Sequence, residues 1–247
     1  MPEAKDKKMP ENFTTYWEYF DKIYCISLYE RVDRREQARA QFRSVGLADR
    51  VEFMIVNKHP VDCEQGIYES HILCMEKAIR AHADTIVIFE DDIIFDRFNP
   101  DTLKKCIGFL RTNTDSKMMF FGCMVKKSRK TDNSSVLKIR FRSLAHAYAL
   151  TAEFAKTIVK IPWQKIPFDD MLRGITGTEM YAVYPSFAFQ SNSRSDNQRC
   201  LTLDKFRRLC GGLRRIQKMN EFFNYNKTLI IGAHILLVLL IIAIITL

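Results

Sequence analysis

Between residues 22 and 190, short apolar runs alternate with longer stretches whose apolar positions recur every three or four residues. The runs at 22–28 (KIYCISL), 51–56 (VEFMIV), 85–89 (TIVIF) and 117–123 (KMMFFGC) are short and rich in β-branched or aromatic residues, so they predict buried strands. The stretch at 33–46 carries Ala38, Phe42 and Val45 at helical spacing and ends on Gly46, a plausible helix stop. Residues 68–82 place Ile72, Met75 and Ile79 on one helical face, and 100–110 opens on a proline that suits a first turn. Further on, 144–150 (LAHAYAL) and 180–184 read as strands. Thr151 caps a helix over 152–160, and a short helix starts at 168–173. The polar stretch 126–135 (KKSRKTDNSS) and residues 191–199 read as exposed loops. Strand and helix alternate at least three times, which predicts an α/β fold with a mixed, mostly parallel sheet covered on both faces.

The two ends differ from this middle. The first 15 residues are polar and lysine-rich, with no apolar core of the kind a signal peptide needs, and are expected to fray. Residues 228–247 (TLIIGAHILLVLLIIAIITL) are apolar all round, and about 20 such residues at ~1.5 Å each match a hydrocarbon core of ~30 Å. A transmembrane helix is therefore expected there, with His234 near an interface or a partner helix.

Charge sharpens that picture. The chain carries 38 basic and 29 acidic residues, a net +9, which suits an anionic partner. Lys205, Arg207, Arg208, Arg214, Arg215 and Lys218 crowd just before the apolar run with no acid among them. That placement favours lipid headgroups over nucleic acid, and by the positive-inside rule it puts the preceding domain in the cytoplasm on a single-pass C-terminal anchor. The expected organisation is a flexible 1–15, an enzyme-like domain over 16–200, a basic juxtamembrane segment over 201–227 and a span over 228–247. Seven scattered cysteines, with no CxxC pair, point to buried thiols in a reducing compartment.

Several residues carry candidate chemistry. Glu90-Asp91-Asp92 directly follows an apolar strand, where α/β sheets gather ligands. Strand alternation lets Glu90 and Asp92 face one site and turns Asp91 elsewhere. Adjacent carboxylates repel unless compensated, and Mg²⁺ or Mn²⁺ shared with a diphosphate would do so; a solvated acidic turn is the plainer alternative. Arg31, Arg34 and Arg35 follow the first strand and match phosphate oxygens, or else form surface ion pairs at a helix start. Ser70 and His71 sit early in a helix, with His71 spaced like a packed core histidine, and His146 and Tyr148 alternate in a strand. Asp169 or Asp170 is placed to act as a general base, or simply to cap a helix.

Taken in order, IYCISLYERVDRRE, GIYESHILCMEKAI, IVIFEDDIIF, HAYALTAEFAKTIV, IPFDDML and YAVYPSFAFQ resemble the successive motifs of glycosyltransferase family 25, which includes bacterial lipopolysaccharide and collagen-modifying galactosyltransferases. The chain departs from the pattern at Ser27, where the family often has Asn, and after the second strand, where an Asp-Gly pair is usual. The resemblance implies a GT-A-like fold and transfer of a hexose, galactose first, from a UDP-sugar to a hydroxyl of a lipopolysaccharide or other glycan acceptor, with inversion. It implies that Arg31 and Arg34 lie near the nucleotide and that Asp92, with Glu90, holds the metal. Asp91 would lie near the donor sugar or ribose, and Ser70, His71, Tyr148 and Gln190 would line or support the site. Asp169 matches the base best, with Asp170 the near alternative. The competing reading is a tail-anchored binding or scaffold protein that keeps the fold without the chemistry. A phosphotransferase ranks last, because no glycine-rich phosphate loop is present.

Overall fold

The computed structural model describes residues 13–191 and 211–246. The expected N-terminal tail up to residue 12, the loop after Ser191, and Lys205, Arg207 and Arg208 lie outside the described residues.

An eight-stranded sheet forms the centre. Its strands are β1 (Lys22–Leu28), β2 (Val51–Val56), β3 (Thr85–Glu90), β5 (Met118–Phe120), β6 (Met124–Lys130), β7 (Val136–Ser143), β8 (Ala147–Thr151) and β9 (Met180–Val183). They are ordered β2-β1-β3-β8-β5-β9-β7-β6. Strands β7 and β8 run against the other six, so the sheet is mixed with one dominant direction, as the alternation of elements predicts. A separate ribbon pairs β4 (Ile93–Phe95) with β10 (Ala188–Gln190).

Alternation along the strands divides the core. Ile86, Ile88, Phe120, Tyr148 and Leu150 face α2 (Cys63–Arg80), α4 (Ala152–Ile158) and α5 (Phe168–Gly174). Val87, Phe89, Met119, Phe121 and Ala149 face α1 (Val32–Ser44) and α3 (Pro100–Thr112). Helix starts follow the expected chemistry: the side chains of Thr151, Asn99 and Asp62 each accept a backbone N–H from the first turn. Helix α2 begins at Cys63 rather than residue 68, because Asp62 supplies that cap.

Three expectations change. The polar stretch at 126–135 contains most of β6, which pairs in a hairpin with β7. Strand β6 closes one edge of the sheet and leaves most of its side chains in water, so lysines and arginines are tolerated there and discourage further pairing. Residues 13–19 form a 3-10 turn that buries Trp17 completely, with its indole N–H donated to Val45 O at 2.8 Å. Near the other end, Leu213–Tyr225 forms a helix (α6) laid against β6 and β10. Two of the basic residues expected to face lipid there, Arg214 and Lys218, approach Asp96 at 3.9 and 2.5 Å.

After Asn226 comes α7 (Lys227–Thr246), whose Lys227–Ile245 stretch is long and apolar enough to cross a membrane and is not buried by the rest of the chain. Cys25, Cys63, Cys74, Cys106 and Cys123 are free thiols; Cys200 and Cys210 lie outside the described residues.

Candidate active site

The carboxyl ends of β1 and β3 and the start of β8, all interior strands, meet at one end of the sheet. Antiparallel pairing puts Ala147 opposite Phe89, and Glu90 N donates to His146 O at 2.9 Å, so the turn after β3 lies beside the β7–β8 corner. Six sequence-distant segments converge there: 27–35, 70–71, 90–92, 144–148, 168–170 and Gln190.

Asp91 is buried and faces α1. Arg34 reaches it at 3.4 Å, with both side chains nearly out of water. Burial raises the Asp91 carboxyl above its ordinary value, while bonds from Ser27 and the Arg34 charge pull it back. Arg35 is spent on the loop after β1, donating to Leu28 O at 2.5 Å, Tyr29 O at 2.9 Å and the Ser27 hydroxyl at 3.3 Å. Ser27, the departure from the family pattern, thus touches both Arg35 and Asp91. Arg31 lies at the rim, paired with Asp33 at 3.0 Å.

Glu90 turns the other way. Its Oε2 accepts from the Gln190 amide at 3.1 Å, and its Oε1 lies 3.5 Å from His71 Nε2. His71 is fully buried, stacked on Phe168 at 4.1 Å, with Nδ1 2.8 Å from the Tyr148 hydroxyl. Burial holds the imidazole neutral, down to about 3, and raises the Tyr148 phenol, so the neutral ring bridges the Tyr148 hydroxyl at Nδ1 and Glu90 at Nε2. Tyr148 therefore pairs with His71 rather than with its strand neighbour His146, whose Nδ1 lies 3.2 Å from Leu144 O. Ser70 donates to Gly66 O within its own helix at 2.6 Å.

Asp92 completes the turn. One of its carboxylate oxygens is out of water with no hydrogen-bond partner. Burial, and then the neighbouring Glu90, push its carboxyl up to about 8. Burial, Asp169 and Asp91 push Glu90 up to about 8 as well. Burial and mutual repulsion thus disfavour the charged form of both carboxyls, a cost that a bound cation would relieve. Among the described residues no cluster of three or more His, Cys, Asp or Glu is arranged to hold a metal ion. The residues still fit Mg²⁺ or Mn²⁺, which keep few protein ligands and take the rest from water and phosphate; the orphaned Asp92 oxygen is the natural contact.

The two aspartates at the start of α5 part company. Asp169 points inward and accepts the N–H groups of Leu144 at 2.8 Å and Ala145 at 3.0 Å; burial still raises its carboxyl. Asp170 is paired with Arg173 at 2.6 Å toward solvent. The bonds from Leu144 and Ala145 join positions some 25 residues apart in the chain, and no sequence pattern announces them.

The model of glycosyltransferase family 25 (LPS biosynthesis protein) matches residues 54–190, more than half of the chain. The protein belongs to that family and is a glycosyltransferase. No curated protein matches it. Among solved structures it resembles a protein of STIV at 10% identity, over 68% of this chain and 84% of that one, with a TM-score of 0.44. It also resembles a glycosyltransferase involved in glycosylation of the major capsid of PBCV-1, at 11% identity over 76% and 99%, with a TM-score of 0.42. A third is mannose-1-phosphate geranyltransferase from Thermus thermophilus, at 8% identity over 66% and 72%, with a TM-score of 0.41. These likenesses are too distant to speak to substrate.

Proposed function

We propose that this glycosyltransferase moves a hexose, galactose first, from a UDP-sugar to a hydroxyl of a lipid-linked or glycan acceptor, inverting the anomeric centre with the help of Mn²⁺ or Mg²⁺. The observation that carries the reading is the carboxylate turn at the end of β3, where a buried Asp92 oxygen lacks a hydrogen-bond partner and burial beside Glu90 raises its carboxyl. Asp92, with Glu90, would hold the divalent ion, which when bound would supply positive charge for the departing diphosphate. Arg31 and Arg34 add positive charge beside the same turn, and Asp91 orients Arg34. Gln190 and His71 hold Glu90, and Tyr148 fixes the ring of His71.

Asp169 is the general base of this reading. It takes the proton of the acceptor hydroxyl as the new C–O bond forms and the bond to the diphosphate breaks. Its raised pKa suits the role, and the Leu144 and Ala145 amides aim it. Asp170 is less suited, because Arg173 engages it at the surface. The apolar helix α7 supports anchorage in a membrane, with the enzyme domain on the cytoplasmic side, where lipid-linked acceptors are met at high effective concentration.

The test uses the full chain in mild detergent with a panel of UDP-sugars, with and without Mn²⁺, reading UDP release and transfer. Metal-dependent turnover of one donor, abolished by Asp92→Asn and by Asp169→Asn but retained by Asp170→Asn, is expected. Undiminished turnover of Asp92→Asn would overturn the assignment. Silence of the unmodified enzyme with every donor and acceptor, together with absent UDP binding, would leave a binding protein.

A further inference from the structure

Helix α6 is amphipathic in reverse. Its docked face is polar. Gln217 is fully buried and donates to Ala188 O at 3.0 Å. Asn220 accepts the Val125 N–H at 2.8 Å and donates to Val125 O at 3.0 Å. Glu221 accepts the Ser186 N–H at 2.8 Å and pairs with Arg97 at 3.1 Å. Three of its large apolar residues point away from the protein: Met219, Phe222 and Phe223 are 62%, 64% and 46% exposed. Their i, i+3, i+4 spacing puts all three on one side. Helices on the surface of a water-soluble domain place these residue types the other way round.

What covers the exposed side is indicated by what adjoins it. Helix α6 ends at Tyr225, and α7, the apolar helix, starts at Lys227. At ~1.5 Å of rise per residue, Phe222 lies about 8 Å along the chain from the first residues of that helix, a distance comparable with the headgroup layer. Exposed cationic side chains lie at both ends of α6: Arg215 at its start and Lys227 just past its end. Aromatic rings beside cations, next to an apolar span, are the composition that settles at a bilayer interface.

We propose that the Met219–Phe222–Phe223 face of α6 is a membrane-docking surface, seated in the interfacial layer of a bilayer containing anionic lipid. The inference rests on the reading of α7 as a membrane span. Polar bonds clamp α6 to the domain, so its insertion fixes the domain's orientation on the membrane. The clamp also reaches the site: Gln217 holds Ala188, and two residues on in β10 the Gln190 amide holds Glu90.

The test adds one indole at a time to the full chain, reconstituted in vesicles of three parts phosphatidylcholine to one part phosphatidylglycerol. Phe222→Trp reports on α6 and Leu236→Trp on α7, and the unmodified chain supplies the background of Trp17 and Trp163. Both substituted positions are exposed, so neither variant disturbs a core. The expected result is loss of most of the added Phe222→Trp emission with lipids brominated close to the headgroup, and of the Leu236→Trp emission with lipids brominated near the chain ends. If Leu236→Trp is quenched by lipid while Phe222→Trp responds only to aqueous acrylamide, the docking face is overturned and the span stands. If Phe222→Trp responds to neither quencher and cross-links to a second copy, a protein partner covers the face and the proposal is wrong. If no lipid quenches Leu236→Trp, the span itself fails and the docking face with it.

Discussion

Replacing Arg34 by Met tests how the site holds its charges. Arg34 and Asp91 approach to 3.4 Å with side chains 11% and 8% exposed, so the change leaves a carboxylate in a poorly hydrated pocket with the Ser27 hydroxyl and the more distant Arg31 charge to offset it. Breaking a buried pair by removing one partner typically costs about 3–5 kcal/mol. The sign with pH follows from linkage. The Asp91 carboxyl is already raised by burial, and losing Arg34 raises it further. A carboxyl raised in the folded state costs stability as pH climbs from its unfolded toward its folded value, at roughly 1.4 kcal/mol for each pH step of one. Arg34→Met should therefore lose more stability when measured at about pH 8 than at about pH 5. Adding Asp91→Asn removes the orphaned charge, so the double variant should recover most of the loss and show a flatter pH dependence than the single one. Urea unfolding of the full chain in mild detergent at both pH values measures all three. A loss under about 1 kcal/mol at high pH would place the pair among solvated surface bridges and refute the reasoning. A double variant no more stable than Arg34→Met would refute it equally.

Gly122→Ala puts a methyl 1.7 Å from Ala188 O, a backbone atom that cannot swing aside, and 2.7 Å from the Gln217 amide. The expected loss is at the upper end for overpacking, about 3 kcal/mol, with faster hydrogen exchange in α6; an unchanged melting temperature would contradict it. Acid should destabilise the protein through His146, held neutral by burial down to about 4 against an ordinary 6.5. That contribution is whole above about pH 6.5 and fades as pH falls toward 4, by ~1.4 kcal/mol for each pH step of one, so His146→Gln should flatten the acid limb of a pH–stability curve. The buried His71, held to about 3, adds to the same limb and should persist in that variant.

How much of this was legible in the sequence depended on burial. β1, β3 and β8 lie in the interior, so their continuous apolar runs announced them. β6 lies at an edge with most side chains in water, and its lysines and arginines looked like loop. Helix α6 hid for the opposite reason: its protein-facing side is Gln217, Asn220 and Glu221, so hydropathy pointed its faces the wrong way. At the site, the strand end at Glu90–Asp92 was visible from alternation alone, and Asp91 does turn from Glu90 toward Arg34. The partners of those carboxyls come from far along the chain. Gln190 lies 100 residues beyond Glu90, and Tyr148 lies 77 beyond His71, so only the order of family motifs hinted at them. That Asp169 turns inward and Asp170 outward was not readable, because two adjacent acids at a helix start look alike until the Leu144 and Ala145 amides choose one.

The proposed transfer requires a nucleotide-diphosphate site completed by a divalent ion at Asp92. Calorimetric titration of UDP into the full chain in mild detergent, with and without Mn²⁺, tests it most directly when Asp92→Asn is titrated alongside. The account predicts UDP binding that strengthens at least tenfold, about 1.4 kcal/mol, when Mn²⁺ is present, and a variant in which that gain is lost. UDP binding that is indifferent to Mn²⁺, or an equal gain in Asp92→Asn, would contradict it.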